Sequence, residues 1–219
     1  MERAQKLKVL LADDHAIIRD GLKQIIADTD DLVVAGEAAN GLEVMQRVRE
    51  RNWDVLVLDI SMPGRNGLEL IHMIKDEKPE LPILILSMHH EEQYAVRALQ
   101  AGALGYLTKE SDGDLLLKAI RRVANGGVYI SDKVAELMVR GSRPTSDLLP
   151  HNLLSDREYQ VFNLLVLGKG LTEIGAELSL SVKTISTHKT HILQKMNLAN
   201  AADLVRYALA HGLAGPAEY

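Results

Sequence analysis

Groups able to do chemistry recur at the ends of short apolar runs that lie far apart in the chain. Asp13 and Asp14 follow Lys8–Ala12, Asp59 follows Val55–Leu58, Ser87 follows Pro82–Leu86, and Lys109 follows Gly105–Thr108. A half-buried carboxylate in such a place can serve as a nucleophile or a metal ligand. Taken singly, Asp59 reads more simply as a strand-end aspartate capping the next loop. Brought together, three carboxylates repel one another and need a cation, and ligands that are all oxygen suit a hard, hydrated ion such as Mg²⁺. Lys109 and Ser87 can then hold the oxygens of a phosphoryl group. The agreement of four separate strand ends favours this joint site over coincidence.

The runs that must position these groups are apolar, too short for helices and without period-2 alternation. They read as strands buried on both faces of a parallel sheet, whose ligands gather at the strand C-termini. Between them lie segments with helical spacing. His15–Ala27 puts Ile17, Ile18, Leu22, Ile25 and Ile26 on one face, and Gly41–Arg51 turns Leu42, Met45 and Val48 inward. Leu68–Lys75 buries Leu68, Ile71 and Ile74 or Leu70 and Met73, after a turn over Pro63–Gly67. Glu91–Ala101 and Asp112–Ala124 are further helices, the last with Ser111 and Asp114 as a capping box. With a second strand at Leu32–Ala38, the β-α repeats predict an α/β domain: a five-stranded doubly wound parallel sheet with right-handed crossovers.

Composition bounds the rest. A length of 219 residues suits two modest domains, and 47% hydrophobic with 25% charged residues is an ordinary soluble composition. No apolar run approaches the roughly 18 residues of a membrane span, and Met1–Lys6 is not followed by a signal-type apolar stretch, so a cytoplasmic location away from membranes is expected. The absence of cysteine rules out disulfides, thiolate metal sites and cysteine nucleophiles. The formal charge of -5 falls entirely within residues 1–128, and residues 129–150 and 151–219 are each balanced. No segment announces nucleic acid by charge alone.

Residues 8–125 resemble the receiver domain of the bacterial two-component response regulators, a flavodoxin-like fold. Asp13-Asp14, Asp59 with Pro63, Ser87 and Lys109 fill the receiver pattern. The resemblance implies that a sensor histidine kinase phosphorylates Asp59. It implies also that Mg²⁺ is held by Asp14, Asp59 and the backbone carbonyl of Ser61, with Asp13 completing its shell. The physics agrees: the acyl phosphate adds about two negative charges at the sheet edge, which Mg²⁺ and Lys109 offset. Ser87 can swing toward it, and Tyr106, otherwise a rim aromatic of the core, can follow as a switch. Met88 reads as packing, and His89 and His90 as solvated loop without the further ligand a metal site needs.

Residues 1–128 thus form one domain and 129–150 a linker, in which Val128–Val139 is a short helix carrying Val134, Leu137 and Met138 on one face and Gly141–Asp147 a flexible tether. Residues 151–219 read as an all-α domain of four helices. The first has a capping box, Ser155 to Glu158, and buries Val161, Leu164 and Leu165 before Gly168-Lys169-Gly170 stops it. Leu171–Leu178, a turn at Ser179-Leu180 and Val182–Met196 capped by Ser181 form either a helix-turn-helix or a plain helical hairpin. At about 100° per residue, Val182, Ile185, Ile192 and Met196 share one side of the last of these. Lys183, Thr187, Thr190 and Gln194 centre on the other, with Ser186 beside them and no acid in the helix. That face suits a DNA major groove or simply solvent.

This second domain resembles the LuxR-type helix-turn-helix of the NarL/FixJ subfamily, through Leu154-Ser155, Arg157-Glu158, Gly168-Lys169, Glu173-Ile174, Leu178, Ser181, Lys183-Thr184-Ile185, His188-Lys189 and Lys195-Met196. Some members carry Lys where Ser186 and Thr190 stand here, and Gly175 stands where Ala is more usual, which should loosen its helix. Lys183, Lys189 and Lys169 are candidates for phosphate contact on double-stranded DNA. The final helix, Ala201–His211, resembles the family's dimerisation helix through Leu204, Val205, Ala208 and Leu209, although such a stripe also serves to cap the domain. The expected function is a phosphorylation-controlled transcriptional regulator that binds paired DNA half-sites as a homodimer once phosphorylation relieves inhibition by the receiver. An aspartyl-phosphate phosphatase is the competing enzyme, but its second Asp, two residues after the nucleophile, is Ser61 here. A receiver acting through protein contacts alone is the third possibility.

Overall fold

Val55, Leu56, Val57 and Leu58 are almost wholly buried because their strand, β3 (Val55–Asp59), is the middle one of a five-stranded parallel sheet ordered β2-β1-β3-β4-β5. The other strands are β1 (Leu7–Ala12), β2 (Leu32–Ala38), β4 (Ile83–Ser87) and β5 (Gly105–Thr108). Helices α1 (Ala16–Ala27), α2 (Gly41–Glu50), α3 (Gly67–Glu77), α4 (Glu92–Gln100) and α5 (Gly113–Ala124) alternate with them, giving the expected doubly wound α/β sheet. This is a computed structural model, and it describes residues 6–62, 67–88, 92–141, 149–178 and 180–213. The expected turn at Pro63–Asn66, the His89-His90 loop, the tether beyond Gly141 and Ser179 lie outside the described residues.

Side chains alternate across the sheet. Val55 and Val57 join Val9, Leu11, Leu84, Leu86 and Leu107 against Leu22 and Ile26 of α1 and Leu116, Ile120 and Val123 of α5. Leu56 and Leu58 point to the opposite face, toward α2, α3 and α4. Two expected core residues are not inside: Ile17 is 88% and Leu42 64% exposed. On a helical wheel Ile17 lies more than a quarter turn from the Leu22-Ile26 face, and Leu42 likewise from Val44 and Val48, which α2 buries together with Met45. Met88, expected to pack, is 52% exposed just beyond β4. No side chain caps α5; Ser111 Oγ instead lies 3.0 Å from Thr108 Oγ1.

After α5 the chain does not enter a helix at once. Tyr129 forms a parallel bridge to Gly105. Its carbonyl accepts from Tyr106 N at 3.0 Å and its N–H donates to Leu104 O at 2.9 Å, so this segment covers the exposed edge of β5. Helix α6 begins only at Asp132 and runs to Gly141, with Val134 buried and Leu137 and Met138 half-buried. The two compact units of the chain meet in sequence between Leu137 and Met138.

The second unit holds a 3-10 turn (Pro150–Leu153) and α7 (Asp156–Val166), α8 (Leu171–Glu177), α9 (Val182–Lys195) and α10 (Ala201–Ala210). Tyr159, Phe162, Ile174, Ile185, Ile192 and Leu204 make its core, and the Tyr159 and Phe162 rings stack 5.7 Å apart. The capping box of Ser155 and Glu158 forms as expected. Gly175 is explained by a close approach rather than a loosened helix: a Cβ there would stand 2.8 Å from the carbonyl oxygen of Leu180, whose N–H bonds Gly175 O at 2.9 Å.

Gly36 in β2 is a second close approach, because a Cβ there would stand 2.4 Å from Trp53 Cη2. The indole cannot step aside freely, since its Nε1 donates to Arg47 O at 2.8 Å and the Arg51 guanidinium lies over its ring. Gly36→Ala should therefore destabilise the first unit by about 1–3 kcal/mol. Denaturant unfolding followed by the fluorescence of the single Trp checks this, and an unchanged midpoint would refute it.

Candidate functional site

The register of the sheet brings the four strand ends level. Ala12 pairs with Leu58, Asp59 with Leu86 and Ser87 with Thr108, so Asp13, Asp59, Ser87 and Lys109 emerge at the same edge. Lys109 N also donates to Ser87 O at 2.8 Å. Asp13, Asp59 and Ser87 are buried, at 2%, 1% and 0% exposure.

Lys109 Nζ lies 2.6 Å from Asp13 Oδ2 and 2.7 Å from Asp59 Oδ2. Asp59 Oδ1 accepts from Ser61 N at 2.9 Å. Burial pushes the Asp59 carboxyl above the usual carboxylate range, against the weaker pull of Lys109 and the Ser61 N–H. Burial alone would lower the Lys109 ammonium, but its bonds to Asp13 and Asp59 outweigh that and hold it above its ordinary value. Among the described residues, ligand atoms of Asp13, Asp14, His15 and Asp59 all lie within 4.8 Å of one another. Three carboxylates converging this closely fit a hard divalent cation. His15 is a member the strand-end pattern missed, because it stands beyond the acidic pair; its Nδ1 is 2.9 Å from Asp14 Oδ1 and its N–H bonds Asp13 Oδ1 at 2.8 Å. Tyr106 is buried, at 8% exposure.

In the second unit, α9 keeps Ile185, Ile192 and Met196 inside, while Val182, in its first turn, is 45% exposed. Lys183, Ser186, Thr187, Thr190 and Gln194 are exposed, and Lys189 and Lys169 partly so. Lys169 Nζ pairs with Glu177 at 2.6 Å. Thr187 and Thr190 donate their hydroxyl protons back to Lys183 O and Ser186 O, at 3.1 and 3.0 Å. Glu158 ties this helix to α7: it accepts from Ser155 N and Oγ, and Lys195 Nζ reaches it at 2.6 Å. Burial would raise this carboxyl, but Lys195 and the Ser155 cap outweigh burial and hold it below its usual range. On α10, Leu204 and Ala208 are fully buried in the unit's own core against α7, which takes them away from any contact with a second chain. Val205 is half-buried and Leu209 64% exposed.

Residues 9–121 match the family model of the response regulator receiver domain, and residues 152–208 match that of the bacterial regulatory proteins of the luxR family. The chain belongs to the response regulators. Its similarity to the oxygen regulatory protein NreC of Staphylococcus carnosus is 40% identity over 210 residues, covering 93% of this response regulator and 97% of that protein. NreC of Staphylococcus epidermidis is 39% identical over 211 residues, with the same coverage. Among solved structures, the RcsB response regulator of Salmonella typhimurium is similar with a TM-score of 0.70 and 27% identity, over 94% of this chain and 98% of that one. RcsB bound to a promoter in the presence of the phosphomimetic BeF3- is similar with a TM-score of 0.66, over 94% and 100%. The family is one of regulators rather than enzymes, which removes the phosphatase reading. No described helix of this response regulator is long and apolar enough to cross a membrane.

The pocket's charges predict opposite effects of two substitutions. With its carboxyl raised, the folded protein holds the Asp59 proton more tightly than the unfolded chain does. Ionisation therefore costs folding stability as pH rises from the ordinary value of about 3.9 through the raised one. Asp59→Asn should leave the metal-free protein at pH 7 at least as stable as the parent. Lys109→Met strands two buried carboxylates and should lose roughly 3 kcal/mol. Denaturant midpoints without divalent cations check both, and a stabilising Lys109→Met would contradict the assignment.

Proposed function

We propose that this response regulator is switched by phosphorylation of Asp59 by a sensor histidine kinase and binds double-stranded DNA as a homodimer. The observation that carries the reading is the Lys109 ammonium held between Asp13 and Asp59 beside a cluster of carboxylates. A carboxylate oxygen of Asp59 attacks the phosphorus of a phosphohistidine. The O–P bond forms as the N–P bond breaks, the leaving imidazole keeps the electron pair and takes up a proton, and Asp59 becomes an acyl phosphate. Asp14, Asp59 and the backbone carbonyl of Ser61 would hold Mg²⁺, with Asp13 completing its shell. Mg²⁺, when bound, supplies positive charge against the phosphoryl oxygens. Lys109 moves its ion pair to the new oxygens, Ser87 donates its hydroxyl to them, and Tyr106, buried in the strand that Lys109 follows, acts with Ser87 as the switch. Ser61 offers no acid for hydrolysis, so phosphate loss is slow.

The receiver occupies residues 1–128, the linker 129–150 and the DNA-binding domain 151–219. Helix α9 enters the major groove with Ser186, Thr187, Thr190 and Gln194, and Lys183, Lys189 and Lys169 meet phosphates, Lys169 by leaving an exposed pair worth about 0–1 kcal/mol. Because Thr187 and Thr190 have already committed their protons, they offer the groove a lone pair and a methyl group. Donors to base edges come from Ser186 and Gln194. Of the dimerisation stripe, Val205 together with Leu209 remains outward for a second copy, while Leu204 and Ala208 support that face from within.

Incubation with acetyl phosphate and Mg²⁺ should add one phosphoryl group to the parent and none to Asp59→Asn in intact mass spectrometry. The phosphorylated parent should select and protect genomic DNA fragments at least roughly tenfold more tightly than Asp59→Asn, a difference of about 1.4 kcal/mol; equal binding would refute the switch. Lys183→Ala should weaken all sequences and reduce the salt slope by about 1, whereas Gln194→Ala should change preference among fragments by about 1–3 kcal/mol. Identical profiles for the two variants in salt-titrated binding assays would refute this division.

A further inference from the structure

Asp13 is clamped through both of its peptide groups, one by the end of the neighbouring strand β2 and the other by α1. Its N–H donates to Ala38 O at 3.1 Å. Its carbonyl accepts from Arg19 Nη1 of α1 at 2.6 Å, and the Arg19 Nε is turned toward Glu37 Oε2 at 3.4 Å. Lys23 Nζ steadies the other oxygen of Glu37 at 3.0 Å. Arg19 N also bonds His15 O at 3.1 Å, so the whole acidic loop from Asp13 to His15 is held between α1 and the last two residues of β2.

Glu37 reaches α1 only because of an irregularity in the sheet. Leu32 and Val34 of β2 pack on the α1 and α5 side, and strict alternation would send Gly36 and Ala38 there too, with Glu37 facing away. The register instead jumps: Val9 pairs with Val34, but Leu10 pairs with Gly36, leaving Ala35 without a partner in β1. One extra residue reverses the parity of everything after it, as a β-bulge does. Glu37 thereby lands beside Arg19 and Lys23.

We propose that Arg19, oriented by Glu37 across this bulge, is a positioning residue that fixes the Asp13 carbonyl and so sets the two acidic side chains of the loop for Mg²⁺. The inference rests on the phosphoacceptor reading above. It makes a prediction whose sign differs from that of bare electrostatics. Removing a positive charge near a cation site should strengthen cation binding by Coulomb attraction, whereas loosening the loop should weaken it.

The test uses the full-length chain and MgCl₂ alone, by calorimetric titration of the parent, Arg19→Ala and Arg19→Lys, with amide hydrogen exchange on the metal-free proteins. Both variants should bind Mg²⁺ roughly tenfold more weakly, the loss typical of a disturbed outer shell. Arg19→Lys matters because it keeps the charge and loses only the planar fork. The Asp13 and His15 amides should exchange faster while the β3 amides do not. Acetyl-phosphate labelling at saturating Mg²⁺ should return to the parental rate, so the defect is in Mg²⁺ affinity and not in the transfer step. Tighter Mg²⁺ binding by Arg19→Ala, or affinities within twofold of the parent for both variants, overturns the proposal. A parent that takes up neither Mg²⁺ nor phosphate overturns the phosphoacceptor reading itself, and the positioning role with it.

Discussion

The Lys109 ammonium stands 2.6 Å from Asp13 Oδ2 and 2.7 Å from Asp59 Oδ2, and without it two carboxylates nearly closed off from water would face each other uncompensated. The sheet order decides how that cation is supplied. β1 and β3 are neighbours, so their terminal aspartates meet directly, but β5 is separated from β3 by β4. The cation therefore has to come from a long side chain, and the residue it passes at the end of β4 has to be small. Lys109 and Ser87 meet those two conditions. The same pair suits phosphoryl chemistry, since an ammonium and a hydroxyl both donate to phosphate oxygens.

In the second unit one carboxylate has a comparable organising role without any place in catalysis. Glu158 closes the capping box of α7 and receives Lys195 from the end of α9, so helix initiation and the seating of the exposed helix depend on the same group. Lys195 and the Ser155 cap hold its carboxyl below the usual range, and the ion pair joins the exposed Lys195 to α7. The outward face of α9 is then composed of residues with no such internal duty beyond the threonine back-bonds. Arg157 adds a further link by donating to Leu178 O at the end of α8.

The strand-end chemistry was legible in the sequence because two independent signals coincide at each site: an apolar run that can only be a buried strand, and a polar group where that run stops. Helix phase was less legible. Ile17 and Leu42 are apolar and near enough to the inward stripe to be counted with it, and only the packing of Leu22, Ile26 and Val44 shows which side is closed. The extra residue at Ala35 left no mark that alternation could reveal, because β2 is an edge strand with mixed burial, and so Arg19 and Glu37 went unnoticed. Tyr129 was hidden for a related reason. Pairing with β5 depends on a strand edge left open by the fold, and nothing local in Val128–Ser131 opposes a helix strongly. Leu204 and Ala208 carry the pattern of an interface, yet a stripe of that width equally closes a small core, and burial within the unit decides between them.

The charge distribution limits how such a chain can be switched. Its net charge of -5 lies in residues 1–128, while residues 151–219 are neutral. Long-range attraction to DNA is therefore weak from the start, although α9 itself carries no acidic side chain. A phosphoryl group on Asp59 would add between about 1.5 and 2 further negative charges to the unit that is already acidic. Taken as electrostatics alone, that addition would reduce affinity for a polyanion. Any gain in DNA binding on phosphorylation has to come through geometry instead, by changing which surfaces are free or by joining two copies so that a second binding event becomes intramolecular. A phosphoryl group on Asp59 would sit at a buried strand edge beside Lys109, with β4 alone between its strand, β3, and β5. β5 is also the strand whose Tyr106 N–H is bonded to Tyr129, three residues before α6 begins, so a rearrangement at that edge acts on the backbone that carries the chain out of the first unit.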